Sequence, residues 1–488
     1  MIGFTTCYLA ILLSSAALAS PVIDSASSSV GSSAPSSAID HLAASSISAS
    51  STASSAAVLS SIGGTAASTS SAASSTPTVP FISLNPNDPV WANMDATDPQ
   101  PERGTLGASI LGPTDTDTVL QNPDLTAPPT TDAGSVGNAK WPFSLSHNRL
   151  QTGGWARQQN VQTMPLATNM AGVNMRLEAG AVRELHWHKT SEWAYVLKGT
   201  TQVTSVNQNG QNFVANVGPG DLWYFPPGIP HSLQATSDDP DGSEFLLVFD
   251  SGDFSEDDTF LLTDWLAHVP AEVLAKNFQT DISTFSKVPA KELYIFPSDE
   301  PGSPSQAPVS PQGTVPSPFT FAFSQVTANQ VNGGSYKIVD STTFNVSKTI
   351  AAAEVTLQPG AMRELHWHPS QDEWSFFLEG QARVTIFAAQ SNARTFDYQA
   401  GDIGYVPATM GHYVENIGNT SVRFLEIFNT EVFADVSLSN WLALTPPELV
   451  KAHLGFDDAM IATLPKKKPV VVGPTNSTTV TSTEDEQK

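Results

Sequence analysis

Cysteine is almost missing from this chain: there is one, Cys7, in 488 residues. It sits in an apolar N-terminal segment, so a chain cut after that segment has neither a disulfide nor a thiol nucleophile. Charge is scarce as well, at 14% of residues, and unbalanced: 22 basic side chains face 47 acidic ones, for a net charge of −25. This excludes the basic surface from which nucleic-acid and anionic-membrane binding draw their affinity. It also repels small anions, so an enzyme acting on one needs a cation of its own in the pocket. Beyond the N-terminus no run reaches the roughly 18 consecutive apolar residues of a transmembrane helix. The closing STEDEQK lacks the hydrophobic tail of a lipid anchor.

What is present divides the chain. The apolar run Tyr8–Leu13, followed by small residues and Ala17-Leu18-Ala19, predicts a secretory signal peptide over residues 1–20, although no Lys or Arg precedes the run. The mature protein is therefore expected outside the cell. Residues 21–90, rich in Ser, Ala and Thr, cannot bury enough surface to fold and are expected to form a disordered stalk, either meeting a cell wall or spacing the domain. Residues 91–297 are expected to hold an extended arm and a first domain, 298–318 a Pro/Ser-rich linker and 319–465 a second domain. Residues 466–488 are expected to be a polar tail in which Lys466, Lys467 and Lys468 are solvated. Sequons at Asn345, Asn419 and Asn476 predict a glycoprotein wherever they are exposed.

The two domains resemble each other. GAVRELHWHKTSEWAYVLKG from Gly180 returns as GAMRELHWHPSQDEWSFFLEG from Gly360, and Gly153 and Gly333 each stand 33 positions before the first histidine of their copy. FLLVFD from Phe245 matches FLEIFN from Phe424, and TDWLAHVPAEVL from Thr263 matches SNWLALTPPELV from Ser439. A repeat of this length is a duplicated domain. Within each copy, short runs such as Gln202–Val206, Asp221–Phe225, Glu244–Phe249, Arg383–Phe387 and Val422–Phe428 are bounded by Gly, Pro, Asn and Asp, which predicts an all-β sandwich or barrel. A short helix closes each; the second carries a capping-box pattern, Thr445-Pro446-Pro447-Glu448.

Six of the ten histidines fall in the repeat. His186 and His188, two apart on a strand, share a face; Glu192 and His231 follow, and the second copy repeats the set as His366, His368, Glu373 and His412. Three imidazoles and a carboxylate with coordination positions left over suit manganese, iron or zinc in a catalytic role, and ligand type alone does not choose among them. His41, His147, His268 and His453 are read as surface or packing residues. Arg183, three before His186 and repeated by Arg363, is a candidate cation, but sharing the ligand face requires a bend at Glu184-Leu185. The halves differ most between Phe249 and Trp265, which are 16 apart against 13 for Phe428 and Trp441; the extra residues lie in the polar, mobile-looking DSGDFSEDDTF.

The pattern Gly180, His186, His188, Glu192, Gly199, then Gly220, Pro226, Gly228, His231, with its second copy, resembles the two cupin motifs; Thr409 and Ala235 depart from it without touching a ligand. With HNRL at 147–150, DLWYFPPGIPH at 221–231 and GHYVENIG at 411–418, the chain from about Asp98 to Ala462 resembles the bicupin oxalate decarboxylases, of a secreted fungal type. That resemblance implies two tandem double-stranded β-helix (jelly-roll) barrels with short helices, one manganese in each, and cleavage of oxalate to formate and carbon dioxide with dioxygen as co-catalyst. It also implies a homo-oligomer, a hexamer. Arg183 is implied to bind oxalate, and Ser255, Glu256, Asp257, Asp258 and Thr259 to form a lid with Glu256 as its acid/base. The family lid reads Ser-Glu-Asn-Ser, so Asp257 and Asp258 add negative charge beside an anionic substrate. Glu426, matched by Leu247 in the first half, falls at a position associated with the second metal site, where pairing with Arg363 is the simpler role. The first site is expected to do the chemistry, and the second to be structural or to assist electron transfer. Two alternatives stand beside this: an oxalate oxidase on the same scaffold, yielding carbon dioxide and hydrogen peroxide, and a non-catalytic metal-binding bicupin.

Overall fold

Strand His231–Ala235 alternates buried and half-buried residues, whereas Leu222–Phe225 is buried on both faces. The first pattern belongs to a sheet with one wet face and the second to a strand covered on both. Both occur twice in a computed structural model that describes residues 118, 121–126 and 128–474. The expected signal peptide and stalk, Cys7, His41, the first part of the arm, Asn476 and the end of the tail lie outside the described residues.

Each half folds into two facing antiparallel sheets. In the first barrel, Leu222–Phe225, Glu192–Lys198, Ser243–Phe249, Ala171–Leu177, Gly154–Gln159 and Arg149–Gln151 follow one another in one sheet. Phe260–Leu261, Val182–Trp187, His231–Ala235, Thr201–Val206 and Asn212–Val217 form the other, with Ile295–Phe296 also pairing with Val182–Trp187. The second barrel repeats this with Asp402–Val406, Glu373–Glu379, Val422–Phe428, Ala351–Leu357, Gly334–Val339 and Asn329–Val331 facing Ala393–Gln399, Gln381–Phe387, Gly411–Asn416, Met362–Trp367 and Val436–Ser437. These are the expected strands and two jelly-roll barrels.

The barrels exchange edges. Lys140–Pro142, from the arm, pairs with Asp402–Val406 of the second barrel, and Lys140 is buried there against Asp402 at 3.3 Å. Thr320–Phe321, after the linker, pairs with Leu222–Phe225 of the first. Each exchange covers a sheet edge that would otherwise expose unpaired backbone, so the end of the arm belongs physically to the second barrel although it precedes the first in sequence. The linker is laid down on the first barrel, with Gln202 Nε2 donating to Gly302 O at 2.9 Å and Asn212 Nδ2 to Pro308 O at 2.6 Å.

The second domain runs past residue 465. Val471–Val472 pairs with Met362–Trp367, and Lys468 meets the buried Asp435. Lys468 is exposed, as expected, but it is also a partner in an ion pair: Asp435 lies in a fold that buries its carboxylate and needs a counter-charge. The capping box at Thr445 does not form either. Helix Pro447–Leu454 starts one residue later, after Pro446, and Thr445 Oγ1 donates instead to Trp441 O at 2.9 Å. Pro447 does open the helix, as expected for a residue without an N–H.

One apolar cluster joins the barrels, drawing Trp193, Tyr195, Leu246 and Val248 from the first half and Trp374, Phe376, Leu425 and Ile427 from the second. Trp374 is fully buried and donates Nε1 to Gln159 Oε1 at 2.8 Å. Its ring lies on Gly172, where an added Cβ would fall 2.3 Å from Trp374 Cζ2. Gly172→Ala is therefore expected to destabilise the protein by about 1–3 kcal/mol through overpacking, with an earlier urea midpoint; a midpoint equal to that of the unsubstituted chain would refute the contact.

Candidate metal centres and lid

The strands bring both predicted ligand sets together. In the first barrel His186 pairs in register with His231 on the neighbouring strand, His188 follows at the strand end, and Glu192 opens the next strand. The ligand atoms of His186, His188, Glu192 and His231 lie within 4.8 Å of one another, and so do those of His366, His368, Glu373 and His412. All eight residues are buried.

Each imidazole is held by its far nitrogen. The Nδ1 of His186, His188 and His231 contacts the backbone carbonyls of Glu184, Thr190 and Ile229 at 2.6, 2.8 and 2.7 Å. In the second barrel His366, His368 and His412 contact the carbonyls of Glu364, Ala434 and Met410 at 2.7, 2.9 and 3.0 Å. A carbonyl only accepts, so Nδ1 carries the proton and the Nε2 lone pair points inward, as a metal requires. Trp223 Nε1 donates to Glu192 Oε1 at 2.8 Å, and Ser375 Oγ to Glu373 Oε1 at 2.5 Å, orienting the other oxygen of each carboxylate toward the imidazoles. His231 Nε2 and His366 Nε2 are buried without a hydrogen-bond partner. Such orphaned atoms are costly in a dry core, and a cation held by the four ligands satisfies them; the residues fit a divalent metal at both places.

Burial, reinforced by Arg183 and the neighbouring imidazoles, holds His186 well below the usual 6.5; burial and Arg363 do the same to His366. Burial pushes Glu192 up, but His231 and His188 outweigh it and the carboxyl ends well below its ordinary range. These directions predict an acid-sensitive apoprotein. A histidine depressed in the fold stays neutral there and takes its proton on unfolding, so its contribution is present above about pH 6.5 and is lost as pH falls below it. Burial lowers His412 too, but Glu373 overrides it and the net shift is upward, so this residue offsets part of the loss. Metal-free protein is expected to lose about 1.4 kcal/mol per pH unit for each net proton taken up on unfolding. Urea unfolding of chelator-treated protein at about pH 7 and about pH 5.5 checks this; equal stabilities would contradict it.

The required bend exists. Val182–Trp187 pairs His186 with His231 but Arg183 with Leu233, so three steps on one strand face two on the other. This β-bulge turns Arg183 to the inside with His186 and leaves Leu185 exposed. Arg363 is placed the same way by an equivalent irregularity. The two guanidinium groups nonetheless differ in what they meet. Arg363 has a partner at every nitrogen: Nε donates to Glu426 Oε1 at 3.2 Å, Nη2 to Asp435 Oδ2 at 2.7 Å and Nη1 to Val470 O at 3.4 Å. Arg183, fully buried, donates only through Nη2, to Glu256 Oε2 at 3.0 Å and Thr259 Oγ1 at 3.3 Å; its Nε and Nη1 have no partner.

Ser255–Thr259 folds over the first centre. Glu256–Asp258 is a single 3-10 turn capped by Ser255, which accepts from Asp257 N. Glu256 is buried, its N–H donating to Gln158 Oε1 at 2.9 Å. Tyr294 donates its hydroxyl to Glu256 Oε2 at 2.8 Å. Burial and the Glu256 charge hold the phenol well above its ordinary range, so it remains a donor. Outside lies a cleft of about 510 Å³ lined by His147, Arg149, Arg157, Glu256, Asp257 and Tyr294 among others. In a chain of charge −25 this mouth carries basic side chains, the local cations a small anion needs.

Sequence reading missed Tyr294, Gln158 and the buried Glu184. Glu184 accepts from the N–H groups of Thr263, Leu293 and Tyr294 at 2.7, 2.9 and 2.8 Å, pinning the segment that delivers the phenol. A signal existed in the repeat. Glu184 N donates to Tyr294 O, Glu364 N to Val470 O, and Tyr294 and Val470 both have a positive φ, 56° and 63°. Aligned through its last strand, the repeat sets a hydroxyl in one half against an aliphatic residue in the other. Of the remaining described histidines, His147 lines the cleft, and His268 and His453 are exposed.

The cupin family pattern matches residues 145–285 and 322–462, one stretch per barrel. The chain is 53% identical over 375 residues to oxalate decarboxylase OxdC of Bacillus subtilis, covering 77% of this chain and 97% of that one. It is 41% identical to a probable oxalate decarboxylase of Arthroderma benhamiae, covering 78% and 96%. A structure of the Bacillus subtilis oxalate decarboxylase at pH 4.6 superposes with a TM-score of 0.74 at 52% identity, over 77% of this chain and 98% of that one. With both ligand sets intact in two jelly-roll barrels, the chain belongs to the bicupin oxalate decarboxylases of the cupin family.

Proposed function

We propose that the chain decarboxylates oxalate to formate and carbon dioxide at the first centre, with manganese in both ligand sets and dioxygen as co-catalyst. One observation carries the choice of substrate and site: Arg183 presents two buried, unpartnered nitrogens, Nε and Nη1, beside the His186–His188–Glu192–His231 cluster, with Glu256 on its third nitrogen. A planar guanidinium with two free donors matches a carboxylate. Manganese is the metal named in work on the Bacillus subtilis relative, and when bound it supplies one-electron redox chemistry that zinc cannot. The protein does the rest. Arg183 holds one carboxylate of oxalate and the lid excludes water. The carbon–carbon bond breaks to release carbon dioxide, and the carbon left behind takes a proton from Glu256 to become formate. Tyr294 and Arg183 keep the Glu256 carboxyl turned inward for that transfer. The second centre, whose Arg363 has no nitrogen without a partner, is structural or assists electron transfer.

The test is a product count. Manganese-loaded protein given oxalate in air at mildly acidic pH is expected to yield near-stoichiometric formate and little peroxide. Dominant peroxide would favour the oxidase reading, for which the charged lid residues Asp257 and Asp258 are the motivating observation. Neither product would reject both.

Secretion is supported by the signal-like N-terminus, and N-glycosylation by the exposure of Asn345 and Asn419. No helix among the described residues is long and apolar enough to cross a membrane. Assembly into a homo-oligomer is supported by exposed Trp265, Trp441, Leu444 and Leu449 on the barrel-end helices; light scattering of the purified protein measures it.

A further inference from the structure

Arg149 ties the outside of the lid to the groups beneath it. It donates Nη1 to Asp257 Oδ1 at 3.2 Å and Nη2 to Glu292, and its guanidinium lies 3.6 Å from the centroid of the Tyr294 ring. Tyr294 in turn donates to Glu256, and Arg183 also lies against the ring, at 4.2 Å. One side chain thus touches the lid's outer carboxylate and the phenol that orients its inner one.

We propose that Arg149 is the positioning residue of the lid: it latches the closed form through Asp257 and steadies the Tyr294 ring that orients Glu256. The inference rests on the reading of Glu256 as proton donor. Its two halves differ physically. The Asp257 side chain is 77% exposed and that of Arg149 28%, so their pairing is weak and screened by salt. The Tyr294 contact is buried and largely independent of salt. Asparagine at 257, which the family lid carries, would leave only a hydrogen bond from the guanidinium to an uncharged acceptor; the carboxylate makes this latch an ion pair. An open lid takes Glu256 from the substrate. Oxalate can then lose two electrons to dioxygen, giving two carbon dioxide molecules and, with two protons, hydrogen peroxide.

The experiment uses full-length, manganese-loaded protein. Formate and peroxide are counted at ionic strengths of about 0.05 and about 0.5 M, which shorten the Debye length from about 14 Å to about 4 Å, close to the latch distance. Hydrogen exchange of the lid amides is followed in parallel. The formate-to-peroxide ratio is expected to fall about twofold to fivefold with salt, with faster exchange at residues 256–259. Asp257→Asn is expected to show the high-salt ratio at both ionic strengths. Arg149→Lys is expected to keep the salt response but lose formate kcat, because an ammonium does not stack as a guanidinium does. An unchanged salt response in Asp257→Asn would overturn the ionic latch, and unchanged lid exchange and kcat in both Arg149→Lys and Arg149→Gln would overturn the positioning role. If the unsubstituted protein makes no formate, the decarboxylase reading fails, and lid exchange still decides the latch.

Discussion

Glu256→Gln is expected to cut formate production about 10²- to 10⁴-fold, the range for loss of a positioned acid/base group, while both centres keep their metal. The substitution is nearly isosteric. An amide oxygen can still accept from Arg183 Nη2 and the Tyr294 hydroxyl, now 3.0 and 2.8 Å from the carboxylate, so the lid retains its fastening. What it loses is the proton: an amide cannot deliver one to the carbon left when carbon dioxide departs. Because no ligand is touched, metal content measured with turnover separates loss of chemistry from loss of the site. Peroxide is expected to take a larger share of the remaining products. Unchanged formate would sink the assignment of Glu256.

The second large effect is on stability, at the equivalent position of the other half. Arg363→Ala leaves Glu426 and Asp435 buried with their shared cation gone; both side chains are only 1% exposed. Breaking a buried pair costs about 3–5 kcal/mol because the remaining charge is stranded. Two features point to the low end. Lys468 still faces Asp435. Glu426 is already pushed up to about 7 by burial, which Arg363 only partly counters, so it can take a proton when the arginine is removed. Adding Glu426→Gln should restore part of the loss. Arg183→Ala is expected to cost less stability, because only one carboxylate, Glu256, loses its cation and that carboxylate lines the cleft, while turnover collapses. Urea midpoints for the three variants measure this, and an Arg363→Ala midpoint shifted by less than the equivalent of about 1 kcal/mol would reject the structural role of that arginine.

The ligands were legible because their geometry is local. Residues two apart on a strand share a face, so His186-Trp187-His188 places both imidazoles together wherever the strand goes, and the second copy removes coincidence. The three extra residues around Glu256 were legible for a related reason, as a difference between halves that otherwise keep step. The arm and the tail were harder. Composition marks Lys140 and Lys468 as polar residues in polar segments, yet each ends against a buried aspartate of the second barrel, Asp402 or Asp435. Nothing within a few residues of either lysine encodes a partner 262 or 33 positions away. The helix at Pro447 shows the limit of local signals: Thr445 and Glu448 have the spacing of a capping box, but Pro446 sets the helix start one residue later.

By itself the sequence determined two barrels, two sets of three histidines and a glutamate, and one insertion carrying a carboxylate, since short-range periodicity and a long repeat specify all of these. Only the tertiary structure showed how differently the two arginines are engaged. Arg183 and Arg363 occupy matching positions in near-identical motifs. The unpartnered nitrogens of one and the full engagement of the other are set by distant residues, Tyr294 and Glu256 around the first and Glu426, Asp435 and Val470 around the second, which meet the arginines through folding alone. The availability of a buried donor depends on every group within hydrogen-bond reach, and such neighbourhoods exist only in three dimensions.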